Sequence, residues 1–200
     1  MNTRQPKFIL YIGPMFAAKS TNLLSSIDRY LHQKLTVVAF KPKIDNRYSE
    51  SMIKTHTGGT YPAVAVSTGA EILDSVMNAA VKPDVVAVDE AFMIDGSAEA
   101  LIRLFREGTT ILVSSIDMSA GCQPFTEIQE MMPWATHIEK LSAVCAVCYE
   151  DAYYTQKKFD EPVERIRVGG ADLYEPRCFR CHTGIVLSWD NVEKNWTDSN

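Results

Sequence analysis

What the chain lacks narrows its class before any motif is considered. No apolar run approaches the roughly 18 residues that a membrane-spanning helix requires. There is no cationic excess either. Twenty Lys and Arg stand against 25 Asp and Glu, a net charge of −5. Chains that track a nucleic-acid backbone normally carry a basic face, so a polymer partner is not expected. One bound nucleotide stays compatible, because a local site can be positive on an acidic protein. No internal repeat and no low-complexity tract breaks the sequence. The first residues enter a strand pattern within a few positions and show no secretory leader, so a cytoplasmic location is expected. Cysteine is scarce: five in 200 residues, an odd number that cannot all pair as disulfides.

The rest of the composition, 46% hydrophobic and 22% charged, is that of a globular chain. Its length allows one core domain with a small appendage. Strand-type apolar runs at Phe8 to Ile12, Leu35 to Phe40, Asp84 to Glu90 and Thr109 to Ile116 alternate with helical patterns. The helices are expected over Lys19 to Gln33, Ala70 to Ala80 and Gly96 to Glu107. In the first of them Leu23, Leu24, Ile27 and Leu31 recur at spacings that mark one apolar face. Lys43 to Pro62 is polar and reads as an extended loop. The alternation predicts an α/β fold, a mostly parallel sheet flanked by helices on both faces. After Leu141 the texture changes to short β-type segments, Ala152 to Thr155 and Arg165 to Val168. Three units are expected: 1–141, a small metal-centred module over 142–190, and a polar tail over 191–200 that is expected to be disordered.

The first strand runs into Gly13-Pro14-Met15-Phe16-Ala17-Ala18-Lys19-Ser20-Thr21, a turn that opens a helix. Strand, tight loop and helix in that order form a phosphate cradle. Backbone N–H groups and the helix N-terminus face the anion, and a lysine neutralises its outer charge. The usual pattern has glycine before the lysine, and here Ala18 stands there. If that position needs positive φ, a Cβ costs about 1–2 kcal/mol. The substitution either weakens ATP binding or disables it, and both alternatives stay open. A phosphate loop needs a magnesium partner, for which Ser20 and Asp89 are the candidates. Two neighbouring parallel strands are expected to bring them to one sheet edge. Glu90 follows directly and is placed to accept a proton from an attacking hydroxyl.

Cys145-x-x-Cys148 and Cys178-x-x-Cys181 are two knuckles separated by 29 residues. Four thiolates suit one tetrahedral zinc ion and leave no open position, so the role expected is structural. His182 is expected at the surface or as a cap rather than as a ligand. Between the knuckles, Gly169-Gly170 permits a sharp turn or a close approach to a ligand, and Tyr174 offers an aromatic face and a hydroxyl. Cys122 is left over.

Taken together, Gly13 to Ser20, Asp45-Asn-Arg47-Tyr-Ser, Val88-Asp89-Glu90, the two knuckles and Gly169-Gly-Ala-Asp172-x-Tyr174 occur in the order seen in type II thymidine kinases. That family comprises cellular cytosolic, bacterial and poxvirus-like enzymes, and the resemblance spans about residues 7–184. It implies a phosphate-loop α/β domain, a zinc domain with a lasso loop over the nucleoside, and transfer of the γ-phosphate of ATP to the 5′-hydroxyl of thymidine, usually by a homotetramer. By resemblance the ATP and phosphate site comprises residues 13–21, Asp45, Arg47, Asp89 and Phe92. Lys19 resembles the phosphate lysine and Arg47 the arginine that reaches the phosphates. Ser20 and Asp89 resemble the magnesium-side pair, and Glu90 the catalytic base. The nucleoside site resembles Met15, Phe125, Thr155 and Tyr174 around the base, with the backbone of Arg165, Ile166, Arg167, Val168 and Gly169 reading it.

The chain departs from the family pattern at Ala17, Ala18, Phe92 and Ala120. Phe92 stands where glutamine is frequent, and Ala120 where an aromatic often helps hold the base. Deoxyuridine or an analogue is therefore a further candidate substrate. Two competing readings remain: a nucleoside-binding relative that has lost phosphate transfer, and a zinc-ribbon nucleic-acid-binding protein with an ATPase-like body. The acidic charge weighs against the second.

Overall fold

A computed structural model describes residues 4–45, 51–55, 58–158 and 170–184. The strands are β1 (Phe8–Ile12), β2 (Val37–Pro42), β3 (Met52–Lys54), β4 (Thr60–Pro62), β5 (Val64–Val66), β6 (Val85–Asp89), β7 (Thr110–Ser115), β8 (His137–Lys140), β9 (Ala143–Val144), β10 (Asp151–Ala152), β11 (Tyr154–Lys157) and β12 (Tyr174–Arg177). The α-helices are α1 (Lys19–His32), α2 (Gly69–Met77), α3 (Ser97–Arg106) and α4 (Thr126–Met131). Six strands form one parallel sheet in the order β5-β2-β6-β7-β1-β8.

The inner strands β2, β6, β7 and β1 are largely buried because they are apolar at successive positions. Phe8, Leu10, Ile12, Val86, Val88, Ile111 and Val113 face α2, α3 and α4, packing with Ile72, Leu101, Leu104 and Ile128. Tyr11, Ala39, Val85, Ala87 and Leu112 face the other way, onto Leu23 and Ile27 of α1 and Ile53 of β3. On this face Ala39 and Ala87 are small residues set between Tyr11, Val85 and Leu112. Each fully buried Leu or Ile contributes roughly 1.5–3 kcal/mol by leaving water. Leu31 does not join that face and is 38% exposed.

Several elements differ from the sequence reading. The segment read as one loop contains the antiparallel hairpin β3–β4, with Ile53 buried in the core, and β5 follows it at the sheet edge. β8 pairs with β1 at the opposite edge, and its sequence HIEK is mostly exposed, so no apolar run betrays it. Helix α4 is too short for periodicity to reveal. Strands β1 and β6 are not neighbours, because β7 lies between them.

Beyond Leu141 the chain forms two small antiparallel pairs, β9–β10 and β11–β12. They pack against the first turn after β1 rather than standing apart. Ala17 is buried in one cluster with Ala143, Cys145 and Ala152. Gly13 (φ 145°) lies so close beneath Leu141 that a Cβ would come within 2.4 Å of its carbonyl oxygen, so only glycine fits. Arg165 to Val168, Gly169 and the tail over 191–200 lie outside the described residues.

Candidate functional site

The carboxyl ends of parallel strands are where open α/β sheets bind ligands. At that edge lies a cleft of about 420 Å³ lined by Met15, Phe16, Ala17, Ala18, Lys19, Ser20, Thr21, Asp45, Asp89 and Glu90. The loop that forms its floor has two left-handed residues, Phe16 (φ 65°) and Ala18 (φ 56°). Ala18 thus adopts the conformation for which glycine is the usual residue, and its methyl group is exposed rather than wedged against the protein. The cost of the alanine is backbone strain, not a steric clash. Helix α1 begins directly after it, and Ala18 O accepts the N–H of Asn22 at 3.1 Å.

Lys19 is 6% exposed, and its Nζ donates to Pro14 O at 2.6 Å, which folds the ammonium group back over the loop. Ser20 Oγ donates to Asp89 Oδ1 at 2.9 Å. This joins the start of α1 to the end of β6 across an intervening strand. That strand takes part as well: Ser114, the register partner of Asp89 in β7, also donates to Oδ1. Burial pushes the Asp89 carboxyl above the usual carboxylate range. The bonds from Ser114 and Ser20 and the charge of Lys19 pull it down, and Asp45 adds to the upward push. The net direction is up. A hydroxyl and a carboxylate side by side, hard oxygen donors both, suit a magnesium ion.

Glu90 has φ 51°, a left-handed conformation costly for a side chain that is not glycine. The strand ends at Asp89, and this turn aims the next carboxylate along the cleft instead of across the sheet. Its Oε2 is shielded from solvent.

Other residues singled out in the sequence lie around this floor. Met15 is half-buried against the larger core, and its N–H donates to Thr155 Oγ1 at 3.1 Å. Tyr174 is half-buried at the start of β12, with its N–H on Gly170 O at 3.1 Å. Phe125 and Phe92 pack ring against ring at 4.4 Å. Both belong to the core under the site, and neither lines the phosphate cleft. Phe92 is 7% exposed and its N–H donates to Ser115 Oγ at 3.3 Å, so the position taken for an ATP contact packs against apolar side chains. Arg47 and Arg165 to Gly169 lie outside the described residues.

The cleft also has walls that the sequence reading did not name: Lys54 and Thr55 at the end of β3, and Gly170 beside the close of the inter-knuckle segment. Nothing in their local sequence marks them, since the hairpin that delivers Lys54 was read as loop. Ser114 carries a faint signal, as a hydroxyl at the polar end of the apolar run Ile111 to Val113.

The four knuckle cysteines converge, with all their Sγ atoms within 4.8 Å of one another and Cys148 and Cys178 at 3.5 Å. A tetrahedron with metal–sulfur bonds of about 2.3 Å has edges of about 3.8 Å, so the cluster fits one ion. Burial pushes the Cys145 thiol up, but N–H groups of Cys148, Cys178 and Val147 outweigh it and hold it at about 6. Bonds to Cys178 and Cys148 push Cys181 up to about 12. His182, expected at the surface or as a cap, is 4% exposed and caps a carbonyl: Nε2 bonds Thr155 O at 3.2 Å. It is drawn inward by that carbonyl and by the ring of Tyr154, 6.0 Å away.

A family model described as thymidine kinase matches residues 6–182, which takes in the loop, the Asp89-Glu90 end and both knuckles. The chain belongs to the thymidine kinase family. Membership makes it a kinase, a transferase whose family implies a nucleotide and thymidine as substrates. The match ends at His182, beside the last metal-binding cysteine, so the cysteine cluster is part of the family domain and not an accessory. Among the described residues no helix is long and apolar enough to cross a membrane.

Proposed function

We propose that the chain transfers the γ-phosphate of ATP to the 5′-hydroxyl of thymidine. The observation that carries this reading is the bond between Ser20 and Asp89, with Glu90 turned along the same cleft. It supports the reading by bringing together the loop, the Ser20–Asp89 pair that would hold magnesium and Glu90, which would act as base. Lys19 and the loop N–H groups hold the phosphates and stabilise the charge that spreads over them during transfer. Glu90 takes the proton of the attacking hydroxyl. Bound magnesium, held by Ser20 and Asp89, would neutralise phosphate charge. Arg47 is assigned to the phosphates, and residues 165–169 to the base.

The left-handed Ala18 favours an active enzyme over an inactive relative. Ala18 adopts the left-handed conformation with its side chain exposed, so the methyl group need not block an anion in the loop. One zinc ion in the cysteine cluster, a boundary near 141, a cytoplasmic location and a homotetramer complete the proposal. Transfer of label from γ-labelled ATP to each of the deoxynucleosides tests it. Thymidine should be labelled fastest. Absence of transfer to any nucleoside at saturating ATP would overturn the reading.

A further inference from the structure

Two hydrogen bonds in series join the cysteine cluster to the phosphate loop. His182 follows the last cysteine of the second knuckle. Its Nδ1 accepts the N–H of Gly184 at 3.1 Å, so the ring proton sits on Nε2. Nε2 then donates to Thr155 O at 3.2 Å. The side chain of the same threonine accepts the N–H of Met15 at 3.1 Å. Thr155 is 6% exposed and His182 4%, so both bonds are sheltered from water that would compete for them. Met15 is the second residue past the tightly packed Gly13, at the point where the chain leaves β1 to form the cradle. A backbone N–H at that point sets the direction of the amides that follow it.

We infer that His182 is a positioning residue: through Thr155 it fixes the backbone of Met15 and thereby the shape of the loop. The cluster then does more than hold its own module together. It supplies, through the residue next to Cys181, one of the fixed points of the substrate site. This rests on the phosphate-transfer reading. Cys122 Sγ lies 4.0 Å from the same Nε2, a longer contact than the carbonyl and no replacement for it.

The test uses the full chain with His182→Ala, His182→Gln and Thr155→Val. Glutamine keeps an amide donor near the position of Nε2. Metal content, hydrogen exchange at the Met15 amide and steady-state kinetics are read for each. His182→Ala should keep its metal, expose the Met15 amide to exchange at least about tenfold faster, and raise the KM for ATP about tenfold, the loss of one sheltered hydrogen bond. A purely structural role would lower the active fraction, and so kcat, at unchanged KM. His182→Gln should restore both exchange and KM. Thr155→Val should reproduce the alanine phenotype, and the double variant should add nothing to it. Unchanged Met15 exchange in His182→Ala overturns the proposal. So does a wild-type-like Thr155→Val, including the case where His182→Ala sheds its metal. If the wild type phosphorylates no nucleoside, the functional reading fails, and Met15 exchange still decides the positioning role.

Discussion

Ser114 donates a hydrogen bond to the carboxylate of Asp89, its direct register partner across β6 and β7. Ser20 approaches the same oxygen from the start of α1. Two hydroxyls and one lysine thus hold a carboxylate that burial alone would rather see protonated. Burial outweighs their pull, so ionising Asp89 costs more in the folded chain than in the unfolded one, and this residue can separate stability from activity.

Asp89→Asn should therefore be more stable and inactive. The folded-state value of Asp89 lies above the ordinary aspartate value of 3.8. Ionisation then costs more in the folded chain than in the unfolded one. The penalty is absent below about pH 3.8, grows as pH rises through the folded value, and is complete above it. Asparagine retains an acceptor for Ser20 and Ser114 and carries no charge. At neutral pH its melting temperature should exceed that of the wild type by a few degrees, roughly 2–4 °C per kcal/mol for a chain of this size. The difference should close on acidification. Calorimetry from about pH 4 to 8 reads it, and a variant less stable than wild type at pH 7 would show that the charge is compensated.

Ala18→Gly addresses the left-handed position directly. Relief of strain contributes about 1–2 kcal/mol, and the extra freedom of glycine in the unfolded chain returns about 0.4–1 kcal/mol. The net gain should be about 1 kcal/mol, visible as a shift in the denaturant midpoint. Magnesium–ATP should bind more tightly, since the loop reaches its bound shape at lower cost. Unchanged stability and affinity would mean that the surrounding contacts already absorb the strain.

Much of this site was legible in the sequence. Lys19, Ser20, Asp89 and Glu90 announce themselves because phosphate chemistry demands those residue types at the ends of strand-like runs. The cysteine cluster is equally plain, since its ligand spacing is local. Strand order was not legible: β7 separates β1 from β6, and no local pattern records which parallel strands become neighbours. Edge strand β8 hid because exposure had removed its apolar residues. Lys54 reached the cleft through a hairpin whose strands have three residues each. The carbonyl that His182 caps, that of Thr155, was not legible because it is 27 residues away in the chain.

Glu90→Gln isolates the proton-transfer role. The amide fills the same space at the same left-handed backbone position, so the loop and the Asp89 cluster should stay in place. General-base catalysis contributes typically 10²–10⁴ in rate. The variant should lose turnover by about that factor, with thymidine affinity within roughly threefold of wild type. Calorimetric titration of thymidine beside steady-state kinetics separates the two quantities. Full activity in Glu90→Gln would remove the residue from the base role.

Removal of the metal should reach the phosphate loop as well as the module that binds it. Ala17 packs in one cluster with Ala143, Cys145 and Ala152, so the wall behind the loop is the metal site itself. Structural zinc in small domains supplies about 10–16 kcal/mol of apparent binding energy, and four separated thiols cannot replace that. Purified protein should carry one zinc per chain by atomic absorption. Exhaustive chelation should lower the melting temperature by roughly 10 °C or more, on a scale of about 2–4 °C per kcal/mol. It should also weaken magnesium–ATP binding, and added zinc should restore both. Cys148→Ser provides the milder case, because Cys148 is the exposed ligand and its loss leaves three sulfurs in place. It should retain less than one zinc and show an intermediate loss of both properties. A zinc-free chain that melts and binds nucleotide like the loaded one would show that the cysteine cluster is not what supports the loop.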